Sequence, residues 1–458
     1  MATVQTAVTS SLASYALTLR YEDIPQPDVQ RTQDLLLDFL AVALGGRQVA
    51  ESTAPIIAGV KDLIGDARGG SSVIGESGRV PPHYAALLNA MLAHSMDYDD
   101  THRVSIMHPG APLFATLLAL GEERQSSGKE FLAAAVAGYD IGNKIGKAHG
   151  PSMHHRGFHP SATTGIFACT AAGARLLGLT AQQTESAMGL NISQIAGSQQ
   201  FLVDGSWNKR LHVGLAAHNA ILSLVMARHG YKGSKEPIEG RFGYFTIYAD
   251  DKRDPSLALH GLGREFEVME TAVKPYPCCR YNHATIDAVR DMVSQHNLRP
   301  DDVAAIKIAM GETGFHLVAQ PVEAKRRPTN IVEGQFSIHF AAACAVLEPY
   351  TWDSYRLIGS PDVEKLTAKV TAVLDASQRG MGSRITLTTR DGREMVRDVP
   401  LPKGEPENPM SWQEMRAKFE QWAPGVLGKK RSETVASLVS RLETLGDVGA
   451  LMAQLRKE

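Results

Sequence analysis

Residues 84–100 read YAALLNAMLAHSMDYDD. Apolar residues recur at three- and four-residue spacing up to His94, and small or apolar side chains occupy nearly every face. Such a pattern predicts a helix buried on all sides rather than one lying on a surface. The same texture runs from about residue 28 to 265, in VQRTQDLLLDFLAVALGG (29–46), EFLAAAVAGYDIGNKIG (130–146), ATTGIFACTAAGARLLGL (162–179) and GLAAHNAILSLVMARHG (214–230). Glycine costs roughly 1 kcal/mol against alanine inside a helix. A chain that keeps using it there needs helix backbones to approach closely.

The texture changes at VKPYPCCRYNH (273–283), where two prolines break the run. VAAIKIAMG (303–311) alternates in part like a strand, and SRITLTTRDGREMVRDV (383–399) sets Asp391-Gly392 between two β-like runs, a strong hairpin signal. Helical stretches around 283–296 and 333–347 lie between them, and after LPKGEPENP (401–409) amphipathic helix resumes. The expected fold is mainly α: a large all-α domain over 1–268, rejoined by 405–458, and a smaller α+β lid domain over 269–404.

The 458 residues allow large cores, and 47 Lys plus Arg against 49 Asp plus Glu give no global field toward nucleic acid or an anionic membrane. Neither partner is expected. The four cysteines lack C-x-x-C spacing, and the N-terminus lacks a secretory pattern, so a reducing cytoplasmic setting is the expectation. No H-E-x-x-H, EF-hand, Walker A or iron–sulfur spacing is present. The chemistry is expected to run on side chains, without metal or cofactor.

Polar residues cluster at three places where a helix is expected to end or begin. Positions 97–108 hold Asp97, Asp99, Asp100, Thr101, His102 and His108. If the helix continued past His94, Asp97 and Asp100 would share a face and Asp99 would point elsewhere. A solvated helix end explains this stretch equally well on pattern alone. HHRGFHPSATTG (154–165) and DGSWNKRLHVG (204–214) place His159, and then Lys209, Arg210 and His212, before small-residue helices. Histidines such as His154 and His155 are more often structural or exposed than functional. Helix starts carrying cations suit a polyanion, and VKPYPCCRYNH adds Lys274, Cys279 and Arg280 near the domain junction. Acid–base groups beside lysines suit removal of a proton next to a carboxylate, with the cations holding the aci-carboxylate that forms.

The ordered set HSMDYDDT (94–101) with His108-Pro109, RGFHPSATTG (156–165), DGSWNKRLHVG, KPYPCCRYNHATIDA (274–288) and RRPTNIVEGQFSIHFA (326–341) resembles the MmgE/PrpD family, also called the 2-methylcitrate dehydratase family. Its members include 2-methylcitrate dehydratase, cis-aconitate decarboxylase and iminodisuccinate epimerase. The resemblance implies a homodimer with a cleft between an all-α body and its lid, acting on a small polycarboxylate without obligatory metal. It further implies Asp97, Thr101, His108, His159, Lys209 and Lys274 as site residues. Cys279 stands where the decarboxylase pattern carries a histidine, which directs the expectation first to a hydro-lyase, then to an epimerase and then to a decarboxylase. On this reading Asp97 and His159 transfer protons, Thr101 and His108 assist, Cys279 is a second acid or base, and Lys209, Lys274 and Arg280 bind carboxylates. Two other classes fit parts of the pattern. An aspartate-rich helix end occurs in magnesium-dependent terpenoid-type enzymes, and a non-catalytic helical scaffold would explain the helices alone.

Overall fold

A computed structural model describes residues 7–457. Two compact units emerge: one holds the chain up to Gln199, Trp207–Thr271 and everything from Ser411, and the other holds Gln200–Ser206 and Ala272–Met410. The first is helical, the second α+β, so the fold is mainly α.

In the helical unit the main elements are α1 (Val8–Thr18), α2 (Gln26–Val49), α3 (Thr53–Ile64), α4 (Pro82–His94), α5 (Gly110–Arg124), α6 (Gly128–His149), α7 (Gly165–Leu176), α8 (Ala181–Asn191) and α9 (Asn208–Arg228). Helix α4 is buried without interruption from Ala85 to His94, as its all-round apolar pattern requires. It packs against α2, α5 and α9. Two glycines permit this. A Cβ on Gly46 of α2 would sit 2.1 Å from the carbonyl oxygen of Leu92, and one on Gly214 of α9 would sit 2.5 Å from Met91 Cγ. By length and composition alone α9 would suit a membrane span. Here most of its residues are instead buried, with the helix packed on α4, α5 and α7.

The second unit contains a four-stranded sheet with β1 (Val303–Met310), β2 (Val370–Leu374), β3 (Ser383–Thr389) and β4 (Glu394–Val399), in the order β2-β1-β3-β4. β1 runs parallel to β2, with Ile306 opposite Val370, and antiparallel to β3, with Ile308 opposite Ile385. Asp391 and Gly392 form the β3–β4 hairpin, Gly392 taking φ +83°. Helix α10 (His283–Gln295) covers β3 and β4, and α11 (Ile338–Leu347) packs on α10 and β2. The chain then returns to the helical unit with α12 (Trp412–Leu427), which lies along α2, and α13 (Lys429–Val439). The division differs from the one expected from sequence. Its boundaries fall at 271/272 and 410/411, and Gln200–Ser206 leaves the helical body because Phe201 joins the apolar core of the second unit, 6.3 Å from the ring of Phe336.

Close backbone approach makes a stability prediction. Gly46→Ala must push α2 from α4 and is expected to destabilise the protein by about 2–3 kcal/mol. Gly59→Ala, on α3 where nothing lies within 4 Å of the added carbon, is expected to be neutral or to stabilise by up to about 1 kcal/mol. Paired thermal melts of the two variants check this, and equal melting temperatures would contradict it.

Candidate active site

Helix α4 stops at His94 because Asp97 adopts φ +51°, in the left-handed region that L-residues rarely occupy. The expected sharing of a helical face by Asp97 and Asp100 is therefore corrected. The chain leaves the helix, and each carboxylate of the loop takes a separate direction. Asp100 accepts hydrogen bonds from the Gly110 amide (3.0 Å) at the start of α5 and from the Tyr139 hydroxyl (2.6 Å) on α6. Burial pushes its pKa up to about 7, against the opposing Tyr139 hydrogen bond. The loop is further held by Lys418 of α12, which donates to the Tyr98 carbonyl (2.8 Å), lies 3.7 Å from the Tyr98 ring centroid and pairs with Asp38 of α2.

Asp97 pairs directly with Lys209. Lys209 lies within the first turn of α9 rather than ahead of that helix. A cation there opposes the helix dipole, and the Asp97 carboxylate offsets the conflict. His108 extends Nε2 to 3.8 Å from Asp97 Oδ1 and Nδ1 to 3.3 Å from Asp99 Oδ1. Its backbone amide donates to Ser161 Oγ (2.9 Å), which ties it to the segment carrying His159. The His159 amide donates to the Gly197 carbonyl (3.0 Å), and its Nδ1 lies 3.3 Å from Nδ1 of His212 on α9. Of the residues expected from sequence, Asp97, His108, His159 and Lys209 thus come together in one unit.

Asp99 does not point away, contrary to the helical reading. Its Oδ2 accepts from His94 Nδ1 at 2.7 Å. The His94 ring stacks on His159 (5.5 Å between centroids, 19° between planes) and meets His108 edge-on (4.7 Å). His94, Asp99 and His212 are the members of this cluster that sequence reasoning left without a role. His94 and Asp99 were visible in the same motif, but the assumed helix misdirected Asp99.

Electrostatically the cluster sets neutral imidazoles among fixed charges. Burial lowers the pKa of His94 to about 3, against the pull of Asp99, and that of His212 to about 4, with Lys209 adding to the effect. Burial, then His94 and Lys209, hold His159 well below the usual histidine range. Burial alone would raise Asp99, but His94 and His108 overcome it and keep the carboxyl well below its ordinary value. Neutral imidazoles beside an ammonium–carboxylate pair are the groups needed to accept a proton and hold developing negative charge. One ligating atom from each of His94, Asp99 and His108 lies within 4.8 Å of the others, close enough to bind a divalent ion. The 2.7 Å hydrogen bond nevertheless commits His94 and Asp99 to each other.

Thr101 is buried in the two-residue strand Thr101–His102, and its side chain makes no hydrogen bond among the described residues. His102 belongs elsewhere: its Nε2 lies 3.1 Å from Glu267, which also pairs with Lys144 and Lys147.

In the second unit Lys274 and Cys279 are buried, and the Cys279 amide donates to the Gln335 carbonyl (3.0 Å). Arg280 is a correction. Its Nε donates to Glu405 (2.9 Å), Nη1 lies 2.7 Å from His283 Nδ1, and Nη2 contacts Glu405 and the Pro402 carbonyl. These contacts occupy all three guanidinium nitrogens, so Arg280 acts as an internal pin and not as a carboxylate ligand.

Residues 10–256 match the MmgE/PrpD N-terminal domain and 276–444 the MmgE/PrpD C-terminal domain. A cis-aconitate decarboxylase-like protein of Aspergillus oryzae, oryM, is 29% identical over 98% of each chain. The cis-aconitate decarboxylases of Aspergillus terreus and Homo sapiens are each 26% identical, over 98% of this chain and 96% and 95% of theirs. With both domain models matched in order along nearly the whole chain, the protein belongs to the MmgE/PrpD family.

Proposed function

We propose that the protein is a lyase that removes a proton α to a carboxylate of a small polycarboxylate, and that it is a hydro-lyase of the 2-methylcitrate dehydratase type. The observation that carries this reading is the Asp97–Lys209 pair flanked by His108 and His159, a buried ammonium beside the neutral His159 imidazole. In the proposed reaction one of these groups takes the carbon-bound proton. The electron pair left behind forms the C=C bond, Lys209 stabilises the aci-carboxylate, and the β-hydroxyl departs as water after protonation. For Lys274 and Cys279 the motif resemblance supports carboxylate binding and acid–base work respectively. Arg280, already paired with Glu405, is left out of the binding set.

A second reading is decarboxylation of cis-aconitate, favoured by the names of the relatives at 26–29% identity. Cys279, standing where the decarboxylase motif carries a histidine, weighs against it. Proton NMR in D₂O with 2-methylcitrate, citrate, cis-aconitate and iminodisuccinate separates the alternatives. The expected result is α-proton exchange accompanied by new vinyl signals. Exchange without vinyl signals would replace the hydro-lyase by an epimerase, and loss of CO₂ from cis-aconitate would replace it by a decarboxylase.

Lys209→Ala is expected to lower kcat/KM by about 10²–10³-fold, the usual effect of removing one electrostatic stabiliser of developing charge. Circular dichroism checks that the variant folds, and undiminished turnover in a folded variant would remove Lys209 from the site. Dialysis against a chelator is expected to leave the rate unchanged. A loss restored by a divalent ion would instead assign His94, Asp99 and His108 to a metal.

A further inference from the structure

Asp99 lies between two imidazoles, His94 and His108, without being one of the groups expected to transfer protons. An ionised carboxylate can only accept hydrogen bonds, so any ring nitrogen bonded to it must carry the proton. His94 presents Nδ1 at 2.7 Å to Oδ2 in a hydrogen bond, and His108 brings its Nδ1 to 3.3 Å from Oδ1, an ion-pair contact outside hydrogen-bond geometry. A neutral imidazole has one N–H, so a proton on Nδ1 leaves Nε2 as a lone pair. In His94 that Nε2 is buried and makes no hydrogen bond among the described residues, and the ring carrying it stacks on His159. In His108 each ring nitrogen faces a carboxylate, Nδ1 toward Asp99 and Nε2 toward Asp97.

We infer that Asp99 is the positioning residue of this site: it holds His94 as the Nδ1–H tautomer with Nε2 as proton acceptor, and through His94 it fixes the plane of His159. His94 thereby becomes an additional imidazole base beside His108. Asp38 and Asp100 are like charges acting on Asp99, and Lys209 acts on His94. Burial among those carboxylates would favour a protonated Asp99, and His94 and His108 are what stabilise its anion. The arrangement resembles the orienting carboxylate of a hydrolase triad in its logic, with one carboxylate serving two rings.

The inference rests on the proton-abstraction reading for its consequence, though not for its geometry, so its test has two arms. In the first, ¹⁵N NMR of histidine-labelled full-length protein, assigned with His94→Gln and His108→Gln, reads the tautomers without any substrate. His94 is expected to carry the proton on Nδ1, and Asp99→Asn is expected to release or invert that preference. A proton on Nε2 of His94 in the wild-type protein would overturn the inference, whether or not the variant folds. In the second arm, on whichever polycarboxylate the wild-type enzyme turns over, Asp99→Asn is expected to lower kcat by about 10²–10⁴-fold with KM within about threefold, and to shift the pH profile of kcat. Partial recovery in Asp99→Glu is expected. A folded Asp99→Asn protein with unchanged kcat and pH profile would reduce Asp99 to a structural residue. Absence of turnover by the wild type on every substrate would defeat the functional reading while leaving the tautomer result to stand on its own.

Discussion

Three carboxylates within four residues, Asp97, Asp99 and Asp100, are all nearly inaccessible to solvent. A buried carboxylate left alone costs several kcal/mol, so each must find a partner or take up a proton. The partners they find come from different parts of the helical unit: Lys209 from α9, His94 from α4 with His108 from the segment before α5, and Tyr139 from α6 with the first amide of α5. Satisfying this one loop therefore fixes how four helices converge. The glycine contacts at Gly46 and Gly214 bring α2 and α9 close enough for that convergence to occur.

The helices were legible from apolar spacing because a 3.6-residue period survives in any buried helix, and the β3–β4 hairpin was legible because Asp391-Gly392 suits the backbone its turn requires. Asp97, His108, His159 and Lys209 were legible through motif order. What failed was geometry that depends on a single dihedral. The left-handed φ of Asp97 ends α4, and no periodicity argument contains that information. Once the helix ends there, Asp99 turns inward and the shared face that a continued helix would have given Asp97 and Asp100 does not form. Arg280 failed for another reason: its partner Glu405 lies 125 residues away in sequence, where local pattern has no reach. Phe201 is a similar case, a single aromatic residue drawn into a core assembled mostly from residues beyond 272.

Burial also settles which protonation states are available for chemistry. An exposed histidine would be divided between its two forms near neutral pH, but His94, His159 and His212 are each displaced toward the neutral form, chiefly by desolvation. Lys209 adds to that displacement in all three and is matched by Asp97. The site can thus hold an anion on its ammonium without protonating the imidazoles around it. A solvent-exposed arrangement of the same residues would lose this separation of roles.

The Glu267 hub offers an internal comparison bearing on whether the cluster is scaffold or machinery. Glu267 gathers Lys144, Lys147 and His102, while His102 Nδ1 meets Ser105 Oγ at 2.8 Å, so both nitrogens of that imidazole have partners. That is how a structural polar network closes. Around Asp97 the accounting is different. A non-glycine residue occupies the left-handed region, a lysine sits at the wrong end of a helix dipole, and His94 Nε2 is buried without a hydrogen bond. An unsatisfied buried group costs about 1–3 kcal/mol, and backbone strain of this kind costs on the order of another 1 kcal/mol or more. Glycine at 97 would avoid the first cost, and apolar residues of similar volume at 209 and 94 would avoid the other two. Retaining them is intelligible where the lone pair and the ammonium have a substrate to meet, and a purely structural role gives no such return.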